Sequence, residues 1–94
     1  SMGTIAARKA RTILHQTQEI LAMETLAACQ AIDLQEEFIH LGKGTLLAYN
    51  HIRKYVDFIE EDTVMYPYIH KVLELIKDES ILKVVEEAVE LEAI

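Results

Sequence analysis

A long stretch of this chain holds no residue that would stop a helix. Residues 4–35 contain neither proline nor glycine. Within them Ala6, Ile13, Ile20, Ala27 and Leu34 recur every seven residues, and Ala7, Leu14, Leu21 and Ala28 form the adjacent row. That spacing predicts one continuous helix. At about 1.5 Å per residue it would run roughly 45 Å, whereas a globule of this length has a radius of gyration of only about 12–13 Å. The helix is therefore longer than the body it would belong to. Its second half, Ile20 to Ile32, reads ILAMETLAACQAI, and only Glu24, Thr25 and Gln30 interrupt the apolar surface. A helix apolar nearly all round belongs at the centre of a bundle. Three short helices cannot surround it, so copies of the same chain, or another part of the same protein, are expected to do so.

The remaining residues supply those short helices. Gly42-Lys43-Gly44 breaks the first pattern, and Thr45 is the expected cap of a second helix. Its apolar stripe is Ala48, Tyr49, Ile52, Tyr55 and Val56. Asp57 to Tyr66 carries the acidic cluster Glu60-Glu61-Asp62 and reads as a connector. Pro67 suits the first turn of a third helix, with Ile69, Val72, Leu73 and Ile76 inward. Ser80 is the expected cap of a fourth, burying Ile81, Val85, Ala88 and Val89. With 94 residues, one proline, three glycines and 51% hydrophobic residues, the chain reads as a single all-α unit, a long first helix plus about three shorter ones, its bundle completed by oligomerisation.

Charge narrows the partners. A net charge of −7 argues against nucleic acid. It is uneven: in residues 1–35 Arg8, Lys9 and Arg11 balance Glu19, Glu24 and Asp33, while residues 57–94 set eleven acids against Lys71, Lys77 and Lys83. The acidic half is expected to face solvent and the first half to form core. The lone Cys29 lies in an apolar run and reads as a reduced, buried thiol, with no legible base to make it a nucleophile. With no signal peptide and no charge-free apolar run of about 18 residues, the expectation is a cytoplasmic chain with no membrane contact.

Few residues are grouped as chemistry requires. Glu37-x-x-His40 has the spacing of di-metal carboxylate bundles, but those need two copies and further carboxylates; here it reads as a chance match at a helix end. His15, His51 and His70 are isolated and form no zinc pattern. Arg8, Lys9 and Arg11 read as a solvated face, or as ion-pair partners for acids of another chain, more simply than as an anion site. Glu24, if buried, needs a partner or a raised pKa, and a structural pair is the simpler reading. Tyr49, Tyr55, Tyr66 and Tyr68 read as stripe and rim residues. No phosphate loop is present, and with Ser1 and Ser80 as the only serines a serine-hydrolase arrangement has little to build on. No catalytic, cofactor-binding or metal-binding residue is assigned.

Several segments resemble the C-terminal region of the histidine ammonia-lyases, within the aromatic amino acid lyase family. They are Ser1-Met2-Gly3, Ala7-Arg8-Lys9-Ala10, Ile20-Leu21-Ala22-Met23-Glu24 and Ala27-Ala28-Cys29-Gln30-Ala31-Ile32-Asp33-Leu34. Gly44-Thr45, Tyr49-x-x-Ile52-Arg53, Val56 and Glu61-Asp62 continue the match, which is weaker beyond residue 62. Ala27 to Leu34 also resembles the phenylalanine and tyrosine branches; ILAMETLAACQ favours histidine. The resemblance implies elimination of ammonia from L-histidine to urocanate, on a methylidene-imidazolone formed from Ala-Ser-Gly. No Ala-Ser-Gly occurs here, and the family's tyrosine base, substrate-binding residues and catalytic glutamate lie upstream of the region matched. That glutamate belongs to a Gln-Glu-Asp-His-Val motif that leads into Ser1-Met2-Gly3. Where the family usually has arginine after Asp-Leu, this chain has Gln35, so an ion pair at that helix end is expected to be missing. The resemblance also implies a homotetramer built on long helices, with active sites shared between subunits.

Three expectations compete. The first is a structural C-terminal lyase fragment, inactive alone, that joins a homo-oligomer or the missing N-terminal part of the enzyme; a truncated gene product, a proteolytic remnant and one part of a split enzyme all fit it. The second is a helical module that self-associates or docks on other helices. The third is a metal bundle using Glu37 and His40.

Overall fold

The computed structural model describes residues 1–35 and 40–93, with side chains to residue 88. The described residues are all-helical: α1 (Met2–Asp33), α2 (Lys43–Arg53), α3 (Tyr66–Lys77) and α4 (Ser80–Ala93). The uninterrupted first stretch becomes one helix of 32 residues, about 48 Å long. Ser1 caps it, its hydroxyl accepting a bond from the Thr4 amide at 3.4 Å. Helix α1 packs mainly on α3, α2 on α4, and α3 on α4.

Gly42, not Thr45, stands at the N-cap of α2. Without a side-chain cap bond there, the Gly42 carbonyl accepts the first helical bond from Leu46 at 2.9 Å, and the helix starts before Thr45 is reached. Pro67 occupies the first turn of α3 as expected, because its missing N–H has no helical partner there anyway. Between α3 and α4, Glu79 turns the chain at φ 61°, a left-handed conformation that costs a non-glycine residue roughly 1 kcal/mol or more. Ser80 opens α4, its amide donating to Asp78 Oδ1 at 2.8 Å. The Ser80 side chain first, and that backbone bond second, hold the Asp78 carboxyl below its ordinary pKa.

The core is small. Ala22, Leu26 and Cys29 of α1 meet Ile52, Val56, Val72, Leu73 and Leu75. Here the expected charge logic is overturned. Residues 1–17 are all exposed, while α3, in the acidic half, contributes three of the eight side chains buried among the described residues. The acids of that half lie mostly outside α3, which carries Glu74 against Lys71 and Lys77, so net charge per half does not report burial. The acids Glu60, Glu61 and Asp62 are exposed as expected. Glu24 is exposed as well, so among the described residues no buried acid needs compensation.

The shape records how little of α1 is covered. The radius of gyration is 16.1 Å and the extents are 56 × 44 × 18 Å, against about 12 Å expected for a compact chain of this length. Accessible surface is 7295 Å², where a compact 10.7 kDa protein would show about 5,500 Å². The surplus is about 1,800 Å².

Candidate functional site

Two features dominate: a polar clasp that fixes α1 to α2, and an apolar flank of α1 that nothing covers. The clasp starts from polar residues on otherwise apolar helices. Gln30 and Asp33 lie one turn apart near the end of α1, and Tyr49 and Arg53 lie one turn apart on α2, so each pair shares a face. The Arg53 guanidinium donates through Nε to Asp33 Oδ2 at 2.9 Å, through Nη1 to the Val56 carbonyl at 3.0 Å, and through Nη2 to Gln30 Oε1 at 3.2 Å. Its Nη2 also lies 2.6 Å from Asp33 Oδ2, with both side chains mostly shielded. The Tyr49 hydroxyl donates to the other Asp33 oxygen, and the guanidinium sits 5.9 Å from the Tyr49 ring centroid. The bond to Asp33, reinforced by burial, raises the Tyr49 pKa above its ordinary value. An ion pair therefore does close this helix end: Arg53 supplies it from α2 to Asp33, while the Gln35 amide donates to the Ala31 carbonyl at 3.3 Å.

Gln30 completes the clasp. Its Nε2 donates to the Ile59 carbonyl at 3.1 Å, and its Oε1 accepts from the Ile59 amide at 3.0 Å. One side chain thus pairs both backbone groups of a connector residue and pins the segment after α2 onto α1. Beneath lies Cys29, 3% exposed, whose thiol pKa is pushed up by burial. That environment makes it a packing residue, not a nucleophile. The arrangement can orient helices and a loop; it presents no polarised group to a substrate.

The uncovered flank is made of the heptad rows read from the sequence. Ile13 and Ile20 are 61% and 55% exposed, Leu14 and Leu21 59% and 45%, and Ala6, Ala7, Ala27 and Ala28 are exposed too. The buried row of α1 is a third one, Ala22, Leu26 and Cys29. A helix apolar on all sides offers several stripes, and α3 covers one of them.

The other candidate residues are held separately. His15 Nε2 lies 2.7 Å from Glu19, and its Nδ1 accepts from Lys77 Nζ at 3.1 Å. His70 lies 3.6 Å from Glu74 and stacks on Tyr66. Such half-exposed pairs contribute little. Arg8, Lys9 and Arg11 are exposed along the free part of α1. Tyr55, expected in the α2 stripe, is 52% exposed, its ring beside His51 and under Lys71. Tyr66 is a rim residue at 71% exposure, and Tyr68 packs against the core. The fold does join His51 Nε2 to Ser80 Oγ at 2.9 Å, a pair 29 residues apart that sequence spacing does not show. The Ser80 hydroxyl also bonds the Leu75 carbonyl at 3.4 Å, so this contact ties α2 to the α3–α4 turn. Glu37 lies outside the described residues, and with it the Glu37–His40 spacing. Among the described residues no three metal-ligating side chains converge, and no helix is long and apolar enough to cross a membrane.

Comparison with known proteins bears on both features. The Aromatic amino acid lyase family profile matches residues 1–54, the part that contains α1, α2 and the four side chains of the clasp. The histidine ammonia-lyase of Clostridium tetani (strain Massachusetts / E88) is 54% identical over 95 residues, covering 98% of this chain and 18% of that protein. The histidine ammonia-lyases of Streptococcus pyogenes serotypes M49 (strain NZ131) and M5 (strain Manfredo) are 52% identical over 93 residues, covering 97% of this chain and 18% of theirs. The chain thus spans less than a fifth of the length of these curated relatives. No solved structure matches it. A profile match over more than half of the residues, together with relatives identical at about every second position, shows that the chain belongs to the aromatic amino acid lyase family.

Proposed function

We propose that this chain is the C-terminal helical section of a histidine ammonia-lyase, cytoplasmic and serving histidine breakdown to urocanate and ammonia. Its part in that enzyme is structural. It supplies α1 to a core of long helices shared between subunits, and it uses the clasp to hold α2 and the connector in place. The observation that carries this reading is the uncovered apolar flank of α1, in a chain 54% identical to a histidine ammonia-lyase five times its length. Such a flank is stable in water only when another surface buries it. The 94 residues contain no Ala-Ser-Gly, so they do not form the family's methylidene-imidazolone, and no chemical step is assigned to them. By itself the chain is inactive.

The test is complementation. The purified chain is incubated with L-histidine and urocanate is followed by its ultraviolet absorbance, first alone and then after co-expression with the remaining, Ala-Ser-Gly-bearing portion of a relative. No product is expected alone, and product is expected with the partner. Turnover by the chain alone, or no turnover and no complex with the partner, refutes the reading.

A further inference from the structure

A carboxylate partner holds a lysine amine in its protonated, unreactive form. Lys71 is bonded in that way, its Nζ 3.3 Å from Glu74. Lys77 is held differently. Helix α1 packs along α3, and this brings the last turn of α3, with Lys77, against His15, 62 residues away in the sequence. The Lys77 amine donates to His15 Nδ1 at 3.1 Å. The other ring nitrogen, Nε2, lies 2.7 Å from the carboxylate of Glu19, one turn further along the same face of α1. An ammonium only donates and a carboxylate only accepts. The two partners therefore fix the tautomer, with the proton on Nε2 and the lone pair of Nδ1 aimed at Lys77. A nucleophile in reach of a base, with a third group orienting that base, is the arrangement that activates a nucleophile.

The row Lys77–His15–Glu19 lines a cleft of about 220 Å³ between α1 and α3. Met23, Ile69 and Leu73 give the cleft an apolar side, and Tyr66 stacked on His70, ring centroids 5.7 Å apart, forms a wall. A drug-sized ligand needs about 300 Å³ or more, so this space suits a short acyl chain. Lys77 is exposed, so a donor can reach it.

We infer that Lys77 is a site of acylation, taking a short acyl group from an acyl phosphate or an acyl thioester, with His15 as the base and Glu19 as the group that orients it. The ammonium first gives one proton to water, which frees the lone pair on Nζ. That pair attacks the acyl carbonyl carbon and a C–N bond forms. As the C–O or C–S bond breaks, the leaving group departs with the bonding pair as phosphate or thiolate, and a second proton passes from Nζ to His15 Nδ1. Glu19 stabilises the imidazolium until its proton returns to water. The product is an uncharged amide. Acylation therefore removes the cation from the last turn of α3, where the helix dipole favours one.

The test uses the other lysines of the same molecule as internal standards. The 94-residue chain is incubated at neutral pH with acetyl phosphate in one arm and with S-acetyl-N-acetylcysteamine, a small acyl thioester, in the other. Acetylation at each lysine is followed by peptide mass spectrometry. Lys77 is expected to react about tenfold or more faster than the exposed Lys9 and Lys83. A preference in one arm only supports the site and identifies its donor; a preference in both supports the shared acyl chemistry. His15→Gln removes the base at a half-exposed position and is expected to bring Lys77 within about twofold of Lys9, with helicity unchanged by circular dichroism. Glu19→Gln keeps an acceptor for Nε2 but not its charge, and is expected to lower the Lys77 preference by a smaller factor while Lys9 and Lys83 keep their rates. Equal rates at Lys77, Lys9 and Lys83 in both arms overturn the inference. So does a Lys77 preference that persists in His15→Gln, because the base would then have no part in it. Neither result bears on complementation of a lyase, so this site and the structural reading stand or fall separately.

Discussion

Replacing Arg53 by methionine tests the clasp most directly. Methionine keeps most of the aliphatic stem and removes the guanidinium. The loss falls on three acceptors: Asp33, the Val56 carbonyl and Gln30. Hydrogen bonds to a charged group each contribute about 1.5–3 kcal/mol, but these share one donor group, and solvent can reach part of the pair, since Arg53 and Asp33 side chains are 14% and 22% exposed. A fully buried pair broken on one side costs about 3–5 kcal/mol; partial rescue by water places this one nearer 2–3 kcal/mol. For a domain of this size each kcal/mol moves the melting temperature about 4–8 °C. Arg53→Met should therefore melt at least about 8 °C lower at fixed protein concentration, by circular dichroism. The Asp33→Ala variant and the double variant complete a cycle, in which the two losses should be non-additive by about 1 kcal/mol or more. Melting within about 2 °C of the parent, or strict additivity, would refute the claim that this ion pair holds α1 to α2.

Four further outcomes follow from particular residues. Gln30→Leu leaves both backbone groups of Ile59 without their partner and should cost about 1–3 kcal/mol, seen as faster hydrogen exchange at the Ile59 amide with α3 unchanged. Cys29 should react with a thiol reagent many times more slowly in the folded chain than in denaturant, because burial both shields it and raises its pKa; equal rates would contradict its place in the core. Tyr49 has a raised pKa, so its bond to Asp33 is present below the ordinary tyrosine range and is lost as pH rises through the higher folded value. Tyr49→Phe should remove that alkaline loss of stability, measured as the difference between melts at neutral and high pH. Glu79→Gly relieves the left-handed backbone at φ 61° and should raise stability by up to about 1 kcal/mol; a lower melting temperature would show that the Glu79 side chain contributes more than its backbone costs.

The helices were legible because their signals are local. The absence of proline and glycine from residues 4–35, the position of Pro67 and the stripe of α3 each act within a few turns of chain. The cap of α2 was misplaced by local reasoning of the same kind: Thr45 has the better capping side chain, but Gly42 already lies where the chain turns. The clasp was not legible, since Gln30, Asp33, Arg53 and Ile59 meet across 20–29 residues and nothing in sequence spacing says which polar residues of two helices will face each other. A weak clue existed in Gln30 and Asp33, polar residues one turn apart in an apolar run. The buried row of α1 was hidden for another reason. With apolar residues on every side, periodicity gives the helix but not the stripe that α3 selects.

The uncovered flank also bears on how long this chain survives in a cell. Until something covers Ile13, Leu14, Ile20 and Leu21, each newly made copy displays the kind of surface that chaperones bind and proteases exploit. Its abundance would then follow the supply of the covering surface more closely than its own rate of synthesis. Copies made in excess would be cleared first, and the stoichiometry of the assembly would be set by degradation of whatever remains unpaired.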